Sequence, residues 1–248
     1  MPAKAGIHER RRGLGGSRLD SRLRGSNEVR RSRAASRVMS AISRRGLCLV
    51  VAAPSGAGKS SITRALLESE PELTLSVSVT TRAPRPGEQE GVHYFYRSPE
   101  QFDRMVAAGE LLESAKVFGR GYGSPRAPVE RALAAGRDVV FDIDWQGFRQ
   151  MRAALPGDVV GLFILPPSLA ELEARLRARR GDNEQEIARR MAAARSEISH
   201  AGEFDHILVN RHFDESVAAA RAVLHAARMA TARLVGLADF MGTLRIGR

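Results

Sequence analysis

Residues 53–61 read Ala-Pro-Ser-Gly-Ala-Gly-Lys-Ser-Ser, a lysine and two hydroxyls set directly behind a glycine turn. Glycines let consecutive backbone N–H groups turn toward one anion, and a helix opening at that point adds positive potential. In such a cradle Lys59 reaches the outer phosphates of a nucleoside triphosphate and the Ser60 hydroxyl sits on Mg²⁺. The strict G-x-x-x-x-G-K-[ST] pattern asks for glycine at position 53, where this chain has Ala53. Alanine costs little there if the position is not forced to positive φ. Further along, Arg82 and Arg85 lie in a loop braced by Pro84 and Pro86, and guanidinium forks suit a phosphate monoester. Glu113 interrupts an apolar run. Asp142 and Asp144 alternate on one segment, which would point both carboxylates to one face, for Mg²⁺ and its waters, for a second substrate, or for capping the next helix. Arg175 and Arg179 are four apart and share a helical face, with Arg190 beyond them.

The elements that must position these groups follow from periodicity. The apolar run 47–53 is a strand leading into the glycine loop, and residues 62–68 a helix leaving it. Residues 73–79 alternate as a single strand. A polar loop and the aromatic run Tyr94-Phe95-Tyr96 follow, then a helix over 99–108 and a strand over 111–117. The stretch ending Gly121-Tyr122-Gly123-Ser124 reads as a loop. Helix 126–135, strand 138–144, helix 146–154, strand 159–165 and helix 169–180 alternate as βα units do. That pattern predicts an α/β fold, a parallel sheet with helices on both faces. Asn183 starts the next helix, with Glu186 three residues on as in a capping box. Strand 206–209 and helix 214–233 close the pattern.

A chain of 248 residues suits one large domain with inserts. Its two apolar runs are too short to span a bilayer, so no membrane partner is expected. The single cysteine excludes an internal disulfide and fits a reducing, cytoplasmic setting. The net charge of +11 is concentrated in residues 1–46, where thirteen basic residues face three acidic ones. The remainder is nearly neutral. Residues 1–45 lack hydrophobic periodicity and are expected to be disordered. They could be an extension upstream of the working start at Met39, an organelle transit peptide, or a basic arm touching nucleic acid.

Six separated blocks, residues 53–61, 78–88, Tyr94 with its flanks, Glu113 with 121–124, 142–147 and 175–190, occur in the order found in guanylate kinase, which residues 46–230 closely resemble. The resemblance implies a P-loop kinase: a core (46–77, 128–173 and 196–230), an inserted GMP-binding α/β region (78–127) and a helical lid (174–195). It implies the reaction ATP + GMP to ADP + GDP, with Mg²⁺. ATP would be held by Ala53, Pro54, Ser55, Gly56, Ala57, Gly58, Lys59, Ser60 and Ser61, with Asn210 at the adenine. The GMP phosphate would meet Arg82, Arg85, Tyr94 and Tyr122. Glu113 would accept both donors of guanine (N1–H and the 2-amino group), with Ser78 and Ser124 completing the base pocket and Asp144 anchoring the GMP side. Ser60 and Asp142 would organise the metal. Lys59, Arg179 and Arg190 would face the transferring phosphoryl group, with Arg175 on the same segment. Arg211-His212 replaces the acidic residues common after the last strand, and residues 231–248 extend past the resemblance with no role attached. Two rival readings, a phosphopeptide-binding module of the same shape and a P-loop kinase acting on a phosphorylated sugar, make less use of these residues: the first can dispense with Lys59-Ser60, the second with Glu113 and the pocket serines.

Overall fold

The computed structural model describes residues 42–178 and 183–246. The basic segment 1–41 and Arg179, expected in the lid, lie outside the described residues. Residues 43–235 make one compact unit. Its core is a five-stranded parallel sheet in which β2 (Cys48–Ala52) is central, flanked by β9 (Val159–Leu165) and β8 (Asp138–Asp142). Outside these lie β10 (His206–Val209), next to β9, and β3 (Leu73–Leu75), next to β8.

Every residue of β2 is buried, because both faces of the sheet are covered and alternate side chains serve opposite cores. Cys48, Val50 and Ala52 pack with Val139, Phe141 and Phe163 against α3 (Arg126–Ala134) and α4 (Trp145–Ala154), through Leu133, Phe148 and Met151. Leu49 and Val51 pack with Val140, Leu162 and Ile164 against α1 (Lys59–Ser69) and α7 (Phe213–Arg228), through Ile62, Leu66, Ala220 and Leu224. The carboxyl ends of β2 and β8 therefore open between two helical layers, where parallel α/β sheets bind ligands.

A second, four-stranded sheet runs β5 (Phe95–Tyr96), β4 (Val79–Thr80), β7 (Arg120–Pro125), β6 (Leu111–Val117). It has its own small core, in which Phe102 of α2 (Pro99–Ala107) meets Val79 and Leu111. Helices α5 (Leu169–Arg177) and α6 (Glu184–Ser199) share a third cluster of Leu172, Leu176, Ile187, Met191 and Ala194. Residues 237–246 form α8 (Leu237–Ile246), part of a separate small unit.

Four expectations are corrected. The single strand over 73–79 is two strands in two sheets, since alternation signals extended chain without naming its partner. The glycine-rich stretch 121–124 is part of β7, paired antiparallel with β6 around a turn at Phe118-Gly119. A Cβ at Gly121 would meet the Phe102 ring at 2.8 Å, and one at Gly123 the Leu111 side chain at 2.8 Å, so these glycines serve close packing rather than turning. The strand at 138–144 ends at Asp142. The last long helix stops at Arg228; a 3₁₀ turn (Thr231–Arg233) and β11 (Leu234–Val235) follow, and β11 pairs with β1 (Ser43–Arg44). Continuing that helix would carry Arg233 outward, whereas its buried guanidinium donates to the carbonyls of Gly46 (3.2 Å) and Gly157 (3.1 Å).

Candidate active site

The glycine loop joins β2 to α1. Gly58 is the N-cap of α1 at φ 101°, and Gly56 sits at φ 96°. Position 53 does not share that conformation: among the described residues Phe118 is the one non-glycine at positive φ, so Ala53 replaces glycine without strain. The loop is braced from outside the motif. Asn210 donates from Nδ2 to the Ala57 carbonyl (2.8 Å) and accepts from the Ser216 hydroxyl (3.0 Å). A Cβ on Gly58 would lie 2.3 Å from that Nδ2. Gly58→Ala is therefore expected to cost about 1–3 kcal/mol from the backbone conformation alone, and to weaken ATP binding as the brace is displaced. Urea unfolding and an ATP titration check this; unchanged values in both would refute it.

Ala53, Pro54, Ser55, Gly56, Gly58, Lys59, Ser60 and Ser61 line a cavity of about 350 Å³, which Asp142 and Glu197 complete. Lys59 forms an ion pair with Asp142. Glu197 reaches the cavity from α6; burial pushes its carboxyl pKa up, opposed by the nearby Lys59 and reinforced by Asp144. Arg190, on the same helix, donates to the Ser55 hydroxyl (3.3 Å) and to Glu186 (3.1 Å). Arg175 instead bonds Glu171 (3.0 Å) and reaches the Asn210 carbonyl at 3.5 Å.

A second cavity, about 380 Å³, lies where the two sheets approach each other. Ser76, Ser78, His93, Tyr94, Ser124 and Asp142 are among its walls, so Asp142 borders both cavities. Beside it, Glu113 of β6 stands opposite Ser124 of β7 in register, and the Ser124 hydroxyl donates to it at 2.7 Å. Burial raises the Glu113 pKa, the serine bond lowers it, and Asp144 raises it further. Tyr94 meets the edge of Tyr122 at 6.2 Å between ring centres, and Arg82 lies 5.2 Å over the Tyr94 ring. Arg82 is also bound to both oxygens of Glu88 (2.8 and 2.9 Å), which further accepts from the Arg85 backbone and the Tyr96 hydroxyl. The Arg82 bond holds the Glu88 pKa down at about 2. The Arg85 side chain itself is exposed.

The two aspartates part company. Asp142 ends β8 beside Lys59, whereas Asp144 is the N-cap of α4 and accepts from the Gly147 amide at 2.9 Å. The strand stops between them, so the shared face expected from alternation is lost. Asn210, expected at the adenine, has the loop brace as its observed contact. Glu88, Tyr96 and Glu197 escaped the sequence reading. Nothing in residue spacing marks Glu197, which follows Lys59 by 138 positions. Glu88 ends the arginine loop, and a carboxylate six residues from a guanidinium was the available hint.

Among the described residues no helix is long and apolar enough to cross a membrane. A family model described as guanylate kinase matches residues 45–227. The guanylate kinase of Granulibacter bethesdensis is 64% identical over 201 residues, covering 81% of this chain and 94% of that protein. That of Gluconobacter oxydans is 63% identical over 205 residues, covering 83% and 99%. The crystal structure of guanylate kinase from Anaplasma phagocytophilum superposes with a TM-score of 0.65 at 35% identity, over 82% of this chain and 96% of that one.

Proposed function

We propose that this chain, which belongs to the guanylate kinase family and phosphorylates GMP to GDP at the expense of ATP, divides the reaction between the two cavities that Asp142 borders. ATP occupies the loop cavity, its phosphates against the backbone amides of 56–61 and the Lys59 ammonium. GMP occupies the cavity between the sheets, its phosphate toward Arg82, Arg85, Tyr94 and Tyr122 and its base toward Glu113, Ser78 and Ser124. The observation that supports this division is the shared wall: Asp142 lines both the cavity of the glycine loop and Lys59 and the cavity of Ser78, Tyr94 and Ser124, so substrates bound in the two would meet across it. Phosphoryl transfer then needs positioning and charge stabilisation rather than a covalent intermediate.

Each group has a limited task. Lys59 leaves Asp142 for the incoming phosphates, and Arg190 approaches from α6 at Ser55. Arg179, outside the described residues, belongs to the same segment and the same proposed role. Closure of that segment over both substrates keeps water from the phosphoryl group. Asn210 acts by holding the loop rather than by reading adenine. Asp144 acts mainly as a helix cap and lends negative charge near Glu113. Mg²⁺ fits the donor set: Ser60 and Asp142 present only oxygens to one cavity, and a cation that keeps several waters needs few protein ligands. When bound there with ATP, it would neutralise charge on the phosphates.

The test is an ADP-release assay with GMP, AMP, CMP and UMP as acceptors. A preference for GMP is expected; equal rates on all four would overturn the base pocket. Glu113→Ala should lose about 1.5–3 kcal/mol of GMP transition-state binding, roughly ten- to a hundredfold in kcat/KM. Activity on AMP, whose N1 offers no donor to a carboxylate, should change little. A uniform loss on every acceptor would instead point to damage to the fold. The complete cradle, with Lys59 and Ser60 in place, leaves no feature favouring a phosphopeptide-binding module.

A further inference from the structure

Lys59 has an acidic neighbour on each side of its cavity, and the two come from different parts of the fold. Asp142 is on β8, in the rigid sheet, and pairs with the lysine directly. Glu197 is on α6, the helix that also carries Arg190. Positions 190 and 197 are seven apart, two helical turns, and so share one face. That face differs from the one formed by Ile187, Met191 and Ala194, which is buried against α5. The Glu197 carbonyl accepts from the His200 amide (3.1 Å), but among the described residues its carboxylate makes no hydrogen bond or ion pair, although the residue is half-buried in the cavity that Lys59 lines. Its carboxylate opens onto the same cavity as the lysine.

The far end of α6 is anchored. His200, its C-cap, stacks on Trp145 at 3.6 Å between ring centres and 14° between planes, and its Nδ1 lies 2.7 Å from Glu203. Trp145 in turn carries Arg149 over its ring at 4.5 Å and follows Asp144 directly. Glu197 therefore sits within one turn of a pinned point, while Arg190 lies two turns nearer the part of the segment that must close.

We propose that Glu197 is a positioning residue for Lys59, the counter-charge on the α6 side that sets where the lysine rests and where it is delivered when ATP enters. The inference rests on the assignment of Lys59 to the ATP phosphates. Asp142 pairs with the ammonium from the sheet side, and Glu197 adds a longer-range attraction from α6 across the same cavity. The cost is competition: the pull of Glu197 on Lys59 must be overcome before the lysine can serve the incoming phosphates. Removing its charge should therefore tighten ATP binding while misplacing the lysine for transfer. That combination separates positioning from mere packing, which would weaken binding and turnover together.

The experiment compares the full chain with Glu197→Gln, Glu197→Asp, Lys59→Met and the Lys59→Met/Glu197→Gln double variant. Steady-state kinetics are run in both substrates, with calorimetric titration of ATP and Mg²⁺ in the absence of GMP. Glu197→Gln should lower kcat about tenfold and tighten ATP about threefold, with the KM for GMP unchanged. Glu197→Asp, which keeps the charge, should recover part of kcat. In the Lys59→Met background Glu197→Gln should leave ATP affinity unaltered, because the residue acts through the lysine. The proposal is overturned if kcat stays within about twofold of the unmutated chain, if ATP binding weakens in step with turnover, or if the ATP shift persists without Lys59. Lys59→Met with normal turnover would defeat the Lys59 assignment itself; an inactive Lys59→Met beside an unaltered Glu197→Gln would defeat only the role of Glu197.

Discussion

Lys59→Ala is expected to lower kcat for GMP phosphorylation by about a thousandfold, the scale on which removal of one preorganised charge at a developing anion is felt. The lysine is the first residue of α1, so its position follows from the loop and the helix start rather than from a flexible tail. Its resting partner is Asp142, and the substitution leaves that carboxylate without its ion pair but half in solvent, where the cost is small. Folding should therefore survive: the thermal midpoint is expected to stay within a few degrees, since no buried group loses its partner. Turnover by coupled ADP release, together with a melting curve, separates the two effects. A variant with more than about a tenth of normal kcat would show that the backbone amides of the loop suffice, and the role given to Lys59 would fall.

Glu70→Ala is the largest expected stability change, and it lies at the other end of the sheet. Glu70 caps the C-terminus of α1 and is buried. It accepts from Arg228 (2.6 Å) and Arg221 (3.0 Å) and lies 2.7 Å from His225 Nε2, all on α7. Arg228 also donates to the fully buried Asp138 (2.7 Å), which accepts in addition from Arg44 and from the Leu47 amide (2.9 Å). Deleting Glu70 leaves Arg228 with one carboxylate in place of two, and its Nη2 already lacks a partner among the described residues. Breaking such a buried pair costs about 3–5 kcal/mol, which for a domain of this size lowers the midpoint by roughly 10 °C.

The same carboxylate makes an acid limit. Burial alone would raise the Glu70 pKa, but its bonds to Arg228, His225 and Arg221 outweigh that and hold it at about 2, below the ordinary 4.5. A depressed folded-state pKa gives stability that is complete above the unfolded value and fades as pH falls from about 4.5 toward 2. Urea unfolding between pH 6 and about 3 should show the unmutated chain losing stability more steeply than Glu70→Ala. Parallel curves would mean that Glu70 is not the titrating group.

The phosphate loop was legible because everything it needs is contiguous. An apolar strand, two glycines, a lysine and a helix start lie within fifteen residues, and the groups that bind phosphate are mostly backbone amides. The alternating βα order was legible for a similar reason, since each element carries its own periodicity. The six blocks resembling guanylate kinase added the second substrate, and the family comparisons bear out that identification. The division of labour within the site was not readable in this way. Asp142 and Asp144 look equivalent in a strand of seven, yet the sheet ends after the first and the helix begins at the second, so one faces Lys59 and the other caps. Asn210 braces a loop 153 positions away. Residues 73–79 could be given to a strand but not to its sheet, because pairing depends on which partner arrives.

The chain by itself therefore determined the local chemistry: the anion cradle, the forked arginines, the carboxylate in an apolar strand. Tertiary structure alone decided which charges meet. It made Asp142 a wall common to both cavities, brought Glu197 across from α6, and turned Glu88 onto Arg82. The physical reason is range. Periodicity and backbone preference act over a few residues, whereas a side chain's partner is set by where distant elements close, and no local pattern records that distance.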